Sequence, residues 1–150
     1  MVLIFVKEMT DQKSKASIGF WLIATAALIW NGLGTANFLY QLSPDNIASL
    51  PETHRDLIKG RSIYGTIAFG VGVIGGVVGS ILLLLRQFWA VPVFAISFIG
   101  IVATVIPTIR LINEAQLSTA EVSLMVIVPI FVGLLLWLYA RKVAARGWFH

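Results

Sequence analysis

The stretch "GVGVIGG", residues 70–76, decides what kind of protein this is. Gly70, Gly72 and Gly75 stand at the G-x-G-x-x-G spacing of a dinucleotide-binding turn. Such a turn follows a strand, opens a helix and is joined about 20 residues later by an acid. Here the preceding residues, "IYGTIAF" (63–69), belong to the same apolar run, and "VFAIS" (93–97) holds no acid. No nucleotide partner is expected. A helical reading accounts for more. Gly65, Ala68, Gly72, Gly75 and Gly79 step by three and four into one seam of small residues, and Gly72, Gly76 and Ser80 add a second ridge spaced by four. Lipid gives helices no hydrophobic drive to associate, so close backbone contact must hold them together, and small residues permit that approach. The run is predicted to be the packing hub of a helical membrane protein. Ser97, Gly100 and Thr104 further on, and Ala27, Asn31 and Gly34 earlier, are the matching small faces.

Composition points the same way. Of 150 residues, 58% are hydrophobic and 12% charged, and the mean hydropathy is +0.90. A soluble globule carries about 25% charged residues, so this chain lacks the polar surface that water requires. A helix needs about 20 apolar residues to cross the hydrocarbon. Four stretches qualify, at about 18–40, 62–85, 88–109 and 122–140, and none contains Asp, Glu, Lys, Arg or His. The expected architecture is all-α: a single integral-membrane domain over 1–150, a four-helix bundle running up-down-up-down. Only Arg86–Gln87 separates the second and third spans, which must form a tight antiparallel hairpin. Ser17 is placed to cap the first span, and Ser118 to Glu121 reads as a capping box ahead of the fourth.

Orientation follows from the basic residues. The N-terminus, the 86–87 turn and the C-terminus share one side, with Lys7, Lys13, Lys15, Arg86, Arg141, Lys142 and Arg146. The other side carries Arg55, Lys59, Arg61 and Arg110 together with Asp45, Glu52, Asp56, Glu114 and Glu121. The positive-inside rule places both termini in the cytoplasm, with the bacterial inner membrane as the location. The first span is too long for a signal-peptide core and no small-residue cleavage site follows it. Met9 is a second candidate start. In the longest loop, Ser43 and Pro44 predict one short helix and Pro51 a second. Ile47, Leu50, Leu57 and Ile58 of that loop would lie on the membrane surface or close the outer end of the bundle.

Asn31 falls near the middle of the first span and Asn37 nearer its outer end. An unpaired amide in hydrocarbon costs several kcal/mol, so Asn31 needs a partner. An interhelical hydrogen bond meets that need, and so would a solute contact with Trp30 beside it as a stacking surface. Of the span threonines Thr25, Thr35, Thr66, Thr104 and Thr108, most are expected to bond back to their own helix. Pro107 and Pro129 lie well inside their spans. Each removes a backbone hydrogen bond and can free a carbonyl four residues earlier, at Ala103 and Met125, as a structural kink or a hinge. The absences exclude whole classes. With no cysteine, disulfide, thiolate-metal and iron–sulfur chemistry are out. His54 and His150, the only imidazoles, lie outside the spans, so a b-type haem has no ligands. No carboxylate lies inside a span to relay protons. Neither metal nor other cofactor, no nucleic acid and no enzymatic activity is expected.

Residues 77–104, "VVGSILLLLRQFWAVPVFAISFIGIVAT", with "WNGLG" (30–34) and "SPDNIASLP" (43–51), resemble a family of small four-helix bacterial inner-membrane proteins, some of which are labelled sugar transporters. The resemblance spans roughly residues 30 to 104 and implies four spans. It brings no catalytic or binding residues with it. Two functions follow as expectations. The first is a non-enzymatic accessory or assembly subunit, packing through its small-residue faces against itself as a homo-oligomer or within a larger membrane complex. The second is a small oligomeric transporter or channel for a neutral solute such as a sugar, using Trp30 and Asn31. A hydrated cavity reaching Asn31 would favour the second, and a dry bundle with an outward-facing glycine stripe the first.

Overall fold

The structure, a computed structural model, describes residues 16–115 and 118–149. Met9, Lys7, Lys13, Lys15 and His150 lie outside the described residues. The described residues are helical throughout their ordered elements. Helix α1 runs Ile18–Tyr40, α2 Pro44–Ala48, α3 Glu52–Gly60, α4 Ile63–Leu84, α5 Ala90–Ala103, α6 Val105–Ala115 and α7 Thr119–Val122, followed by a π turn at Ser123–Ile127 and α8 at Val128–Ala145. Together these supply four helices long and apolar enough to cross a membrane: 18–40, 63–84, 90–113 and 119–145.

Local chemistry sets the boundaries. The Ser17 and Ser62 hydroxyls accept the backbone N–H groups of Phe20 and Gly65 at 3.2 and 3.1 Å, satisfying donors that a helix start leaves open. Ser118 and Glu121 form the reciprocal capping box. Ser43 is the cap residue of α2 without a side-chain bond, and Pro44 opens that helix. The hairpin between α4 and α5 closes through Arg86 in the left-handed conformation (φ 58°). The N–H groups of Arg86 and Gln87 reach back to the carbonyls of Leu83 and Leu82, the pattern that commonly ends helices with glycine. The last two long helices run beyond the charge-free stretches of the sequence, through Arg110 and through Arg141–Lys142, because helical hydrogen bonding does not stop where hydropathy does.

Helix α4 is the hub. It packs on α1 and on α5, and α5 packs on α8. About 39% of the apolar window of α4 is buried, against 6% for the span containing α8, so the two helices face different surroundings. A core cluster forms at the end that holds the Arg86 turn: Phe20, Ala24 and Ala27 of α1, Leu83 of α4, Ala90 and Phe94 on the α5 side, and Leu136, Ala140 and Val143 of α8. Trp148 closes this end, edge-on to Phe20, with its carbonyl accepting from Arg86 Nε at 2.7 Å. At the opposite end α3 lies on α6.

Candidate functional site: a cleft between the first and last long helices

The small residues of α4 divide between two neighbours. Gly72, Gly75 and Gly79 face Ile101, Ser97 and Phe94 of α5, and Gly65 faces Pro107 and Arg61. A Cβ on Gly100 would meet the Gly72 nitrogen and the Ala68 carbonyl oxygen, so these two backbones touch. The Ser97 hydroxyl donates to the Gly72 carbonyl at 2.5 Å across this contact. On the other side, Gly76 lies under the Asn31 side chain of α1, Gly34 against Val73 and Gly70 against Phe38. Gly65, Gly72, Gly76, Gly79 and Ser80 are buried, Gly75 and Ala68 partly so. The stripe is therefore occupied inside the chain and does not face outward.

Asn31 is held by protein. Its amide nitrogen donates to the Ala27 carbonyl at 2.8 Å and, more weakly, to Ser80 Oγ at 3.4 Å, while the Ser80 hydroxyl donates to the Gly76 carbonyl at 2.7 Å. Trp30, Asn31 and Asn37 also share a cavity of about 410 Å³, a size typical of small-molecule sites, which run from roughly 300 to 1,000 Å³. Leu33 and Gly34 continue its wall on α1, and Met125, Val126, Pro129 and Gly133 form the facing wall on the last span. Phe94, Ser97 and Ile101 of α5 lie between them, and Leu57 and Ile58 of α3 close one end. Among the closely packed helix pairs α1 and α8 do not appear; the cavity occupies that gap.

Two helix irregularities border it. The third span breaks at Thr104, three residues before Pro107. The Thr104 hydroxyl and N–H both turn to the Ile101 carbonyl, at 2.6 and 3.1 Å. In the fourth span Pro129 follows the π turn, in which the Val128 N–H reaches the Ser123 carbonyl. Single π turns of this kind recur at functional sites. Thr104, Met125 and Pro129 line the cavity, whereas Pro107 packs at Gly65 outside it.

Three lining residues escape a reading of the sequence: Gln41, His54 and Arg61. Arg61 Nη1 donates to Gln41 Oε1 at 3.0 Å, and its guanidinium lies over the Phe69 ring, 5.0 Å from the centroid. Burial lowers the Arg61 pKa from its ordinary value, because desolvation disfavours the charged form. His54 Nδ1 is buried without a hydrogen-bond partner. The same is true of Thr35 Oγ1, an exception among the span threonines, since the Thr66 and Thr104 hydroxyls bond back to the carbonyls of Ser62 and Ile101. The signal in the sequence was position: Gln41 and Arg61 flank one loop, leaving one span and entering the next. Among the described residues no group of three His, Asp or Glu could hold a metal ion. The chain matches no family model, no curated protein and no solved structure.

Proposed function

We propose that this is a non-catalytic protein of the bacterial inner membrane, four spans up-down-up-down with both termini cytoplasmic, which binds and moves a small, largely apolar solute through the cleft between α1 and α8. The observation that carries this reading is the cavity that reaches Asn31 while the small-residue seam is consumed within the chain. The resemblance of residues 30 to 104 to membrane proteins labelled sugar transporters agrees with a transport role. The lining argues against a sugar itself. The donors of Asn31, Ser97 and Thr104 are committed to backbone carbonyls, and the Gln41 oxygen accepts from Arg61. Trp30, Asn37, Gln41 and Thr108 keep side-chain donors, but most other lining side chains are apolar, which suits a largely apolar solute better than a polyhydroxylated one.

Purification in mild detergent followed by mass spectrometry tests the proposal. A small molecule should accompany the wild-type protein and be lost from Thr108→Trp and Val126→Trp, which enlarge lining residues on the third and the fourth spans. An empty wild-type protein migrating with another polypeptide would overturn it in favour of an accessory subunit. That second reading rests on the span containing α8, whose apolar window is 6% buried and so offers a broad face to a second copy or a larger complex.

A further inference from the structure

The charged and imidazole groups of the cavity sit at one end, most of the remaining lining is apolar, and its side is open. Gln41, His54 and Arg61 gather at the end covered by α3. Asn31 lies ten residues before Gln41 on α1, about 15 Å along a helix. Between these two levels the cleft is edged by side chains that belong to the lining and are exposed at once: Leu33 at 66% and Trp30 on α1, Leu124 at 68% and Met125 across the gap. In a bilayer that edge faces the acyl chains, so a ligand can enter sideways without crossing water.

Resting on the reading of the cleft as a solute site, we propose that its ligand is a single-chain amphiphile with an anionic head, carboxylate or phosphate, whose head is bound by Arg61 and whose chain lies between α1 and α8. A guanidinium carries five N–H donors. One of them bonds to Gln41, and among the described residues no ion pair of Arg61 with a carboxylate is formed. The group is turned inward onto Phe69, not out along the helix end as an arginine would be that only reaches for the membrane surface. A half-buried cation in this setting gains from an anion that brings its own oxygens, because ionised hydrogen bonds are roughly twice as strong as neutral ones. His54, unpaired at Nδ1, is a second polar group at that end. Most of the rest of the lining is apolar and offers a chain dispersion contacts.

The test uses the full chain in phosphatidylcholine nanodiscs, with equilibrium binding of labelled laurate, dodecyl phosphate, dodecanol and inorganic phosphate corrected for empty discs. Laurate or dodecyl phosphate should bind saturably and more tightly than dodecanol, and the tighter of the two identifies the head. Arg61→Gln should weaken the anionic ligand roughly ten-fold or more and leave dodecanol unchanged, with Arg61→Lys recovering part of the loss. Thr108→Trp and Val126→Trp should abolish all chain binding; a fold control by circular dichroism accompanies each variant, and either one that folds suffices. If Arg61→Gln leaves laurate and dodecyl phosphate binding intact while a filled cavity abolishes it, the anionic head is overturned and the solute site stands. If folded cavity-filled variants bind as the wild type does, the solute site is overturned as well. Inorganic phosphate that binds as tightly as dodecyl phosphate would overturn the amphiphile.

Discussion

At the scale of single residues, the contact between Gly76 and Asn31 shows how one position constrains another. A Cβ on Gly76 would overlap the Asn31 amide oxygen, and that amide is anchored to Ala27 and Ser80. Gly76→Ala alone should cost about 1–3 kcal/mol by overpacking. In the Asn31→Ala background the obstruction is gone, so the double variant should be more stable than the sum of the single losses implies, by at least about 1 kcal/mol. Unfolding of all four proteins in mixed micelles measures this directly, and strict additivity would show that the two side chains do not meet. Arg86 gives a second case. Its left-handed backbone (φ 58°) strains any residue with a Cβ, yet its side chain ties the hairpin to the Trp148 carbonyl. Arg86→Gly and Arg86→Ala both lose the tie, but only glycine relieves the strain. The glycine variant should therefore be the more stable by about 1 kcal/mol, the reverse of the order found inside a helix.

Helices respond to the same substitution with opposite signs, depending on what their faces touch. Gly100 lies on the backbone of α4, with the Gly72 nitrogen and Ala68 oxygen too near for a Cβ, and backbone cannot rotate away as a side chain can. Gly32, on α1, has nothing within 4 Å of that position. Gly100→Ala should lower the unfolding midpoint substantially, whereas Gly32→Ala should raise stability by up to about 1 kcal/mol through helix propensity alone. A neutral Gly100→Ala in thermal unfolding would mean that α4 and α5 are not in backbone contact. These helices were readable beforehand because long charge-free stretches and serine caps are local signals. The broken third span was half readable: Pro107 announces an interruption, but the break falls at Thr104, where the hydroxyl and N–H take up the Ile101 carbonyl. The partners of the small residues were less accessible still. That Gly70 receives Phe38 while Gly76 receives Asn31 depends on the register between α1 and α4, and a row of glycines is compatible with several registers.

For the molecule as a whole, the cleft is a consequence of connectivity that no single stretch encodes. Helix α1 is drawn to α4 by Asn31, Gly34 and Phe38, and α8 to α5 by Gly133 and Trp137 against Phe98. The core cluster joins α1 and α8 at the Arg86 end only, so space remains between them at the other end. Trp30, Asn31 and Asn37 could be picked from the sequence as unusual within a span. Gln41, His54 and Arg61 could be placed in or beside one loop, but not in a shared site, until α3 folds back over α6. Which compartment this polar end faces decides which leaflet supplies a ligand. In the orientation proposed from the distribution of basic residues, the Arg86 turn and the C-terminus lie in the cytoplasm, and Arg61 lies on the outer side. The chain contains no cysteine, so single replacements report without background. Asp56→Cys on α3 and Lys142→Cys near the end of α8 are both exposed sites. In cells with a permeable outer barrier, a membrane-impermeant maleimide should label the Asp56 position at once and the Lys142 position only after the inner membrane is opened. The reverse pattern would turn the molecule over and make the cytoplasmic leaflet the source of the amphiphile. Equal labelling at both positions in intact cells would contradict a sealed four-span topology altogether.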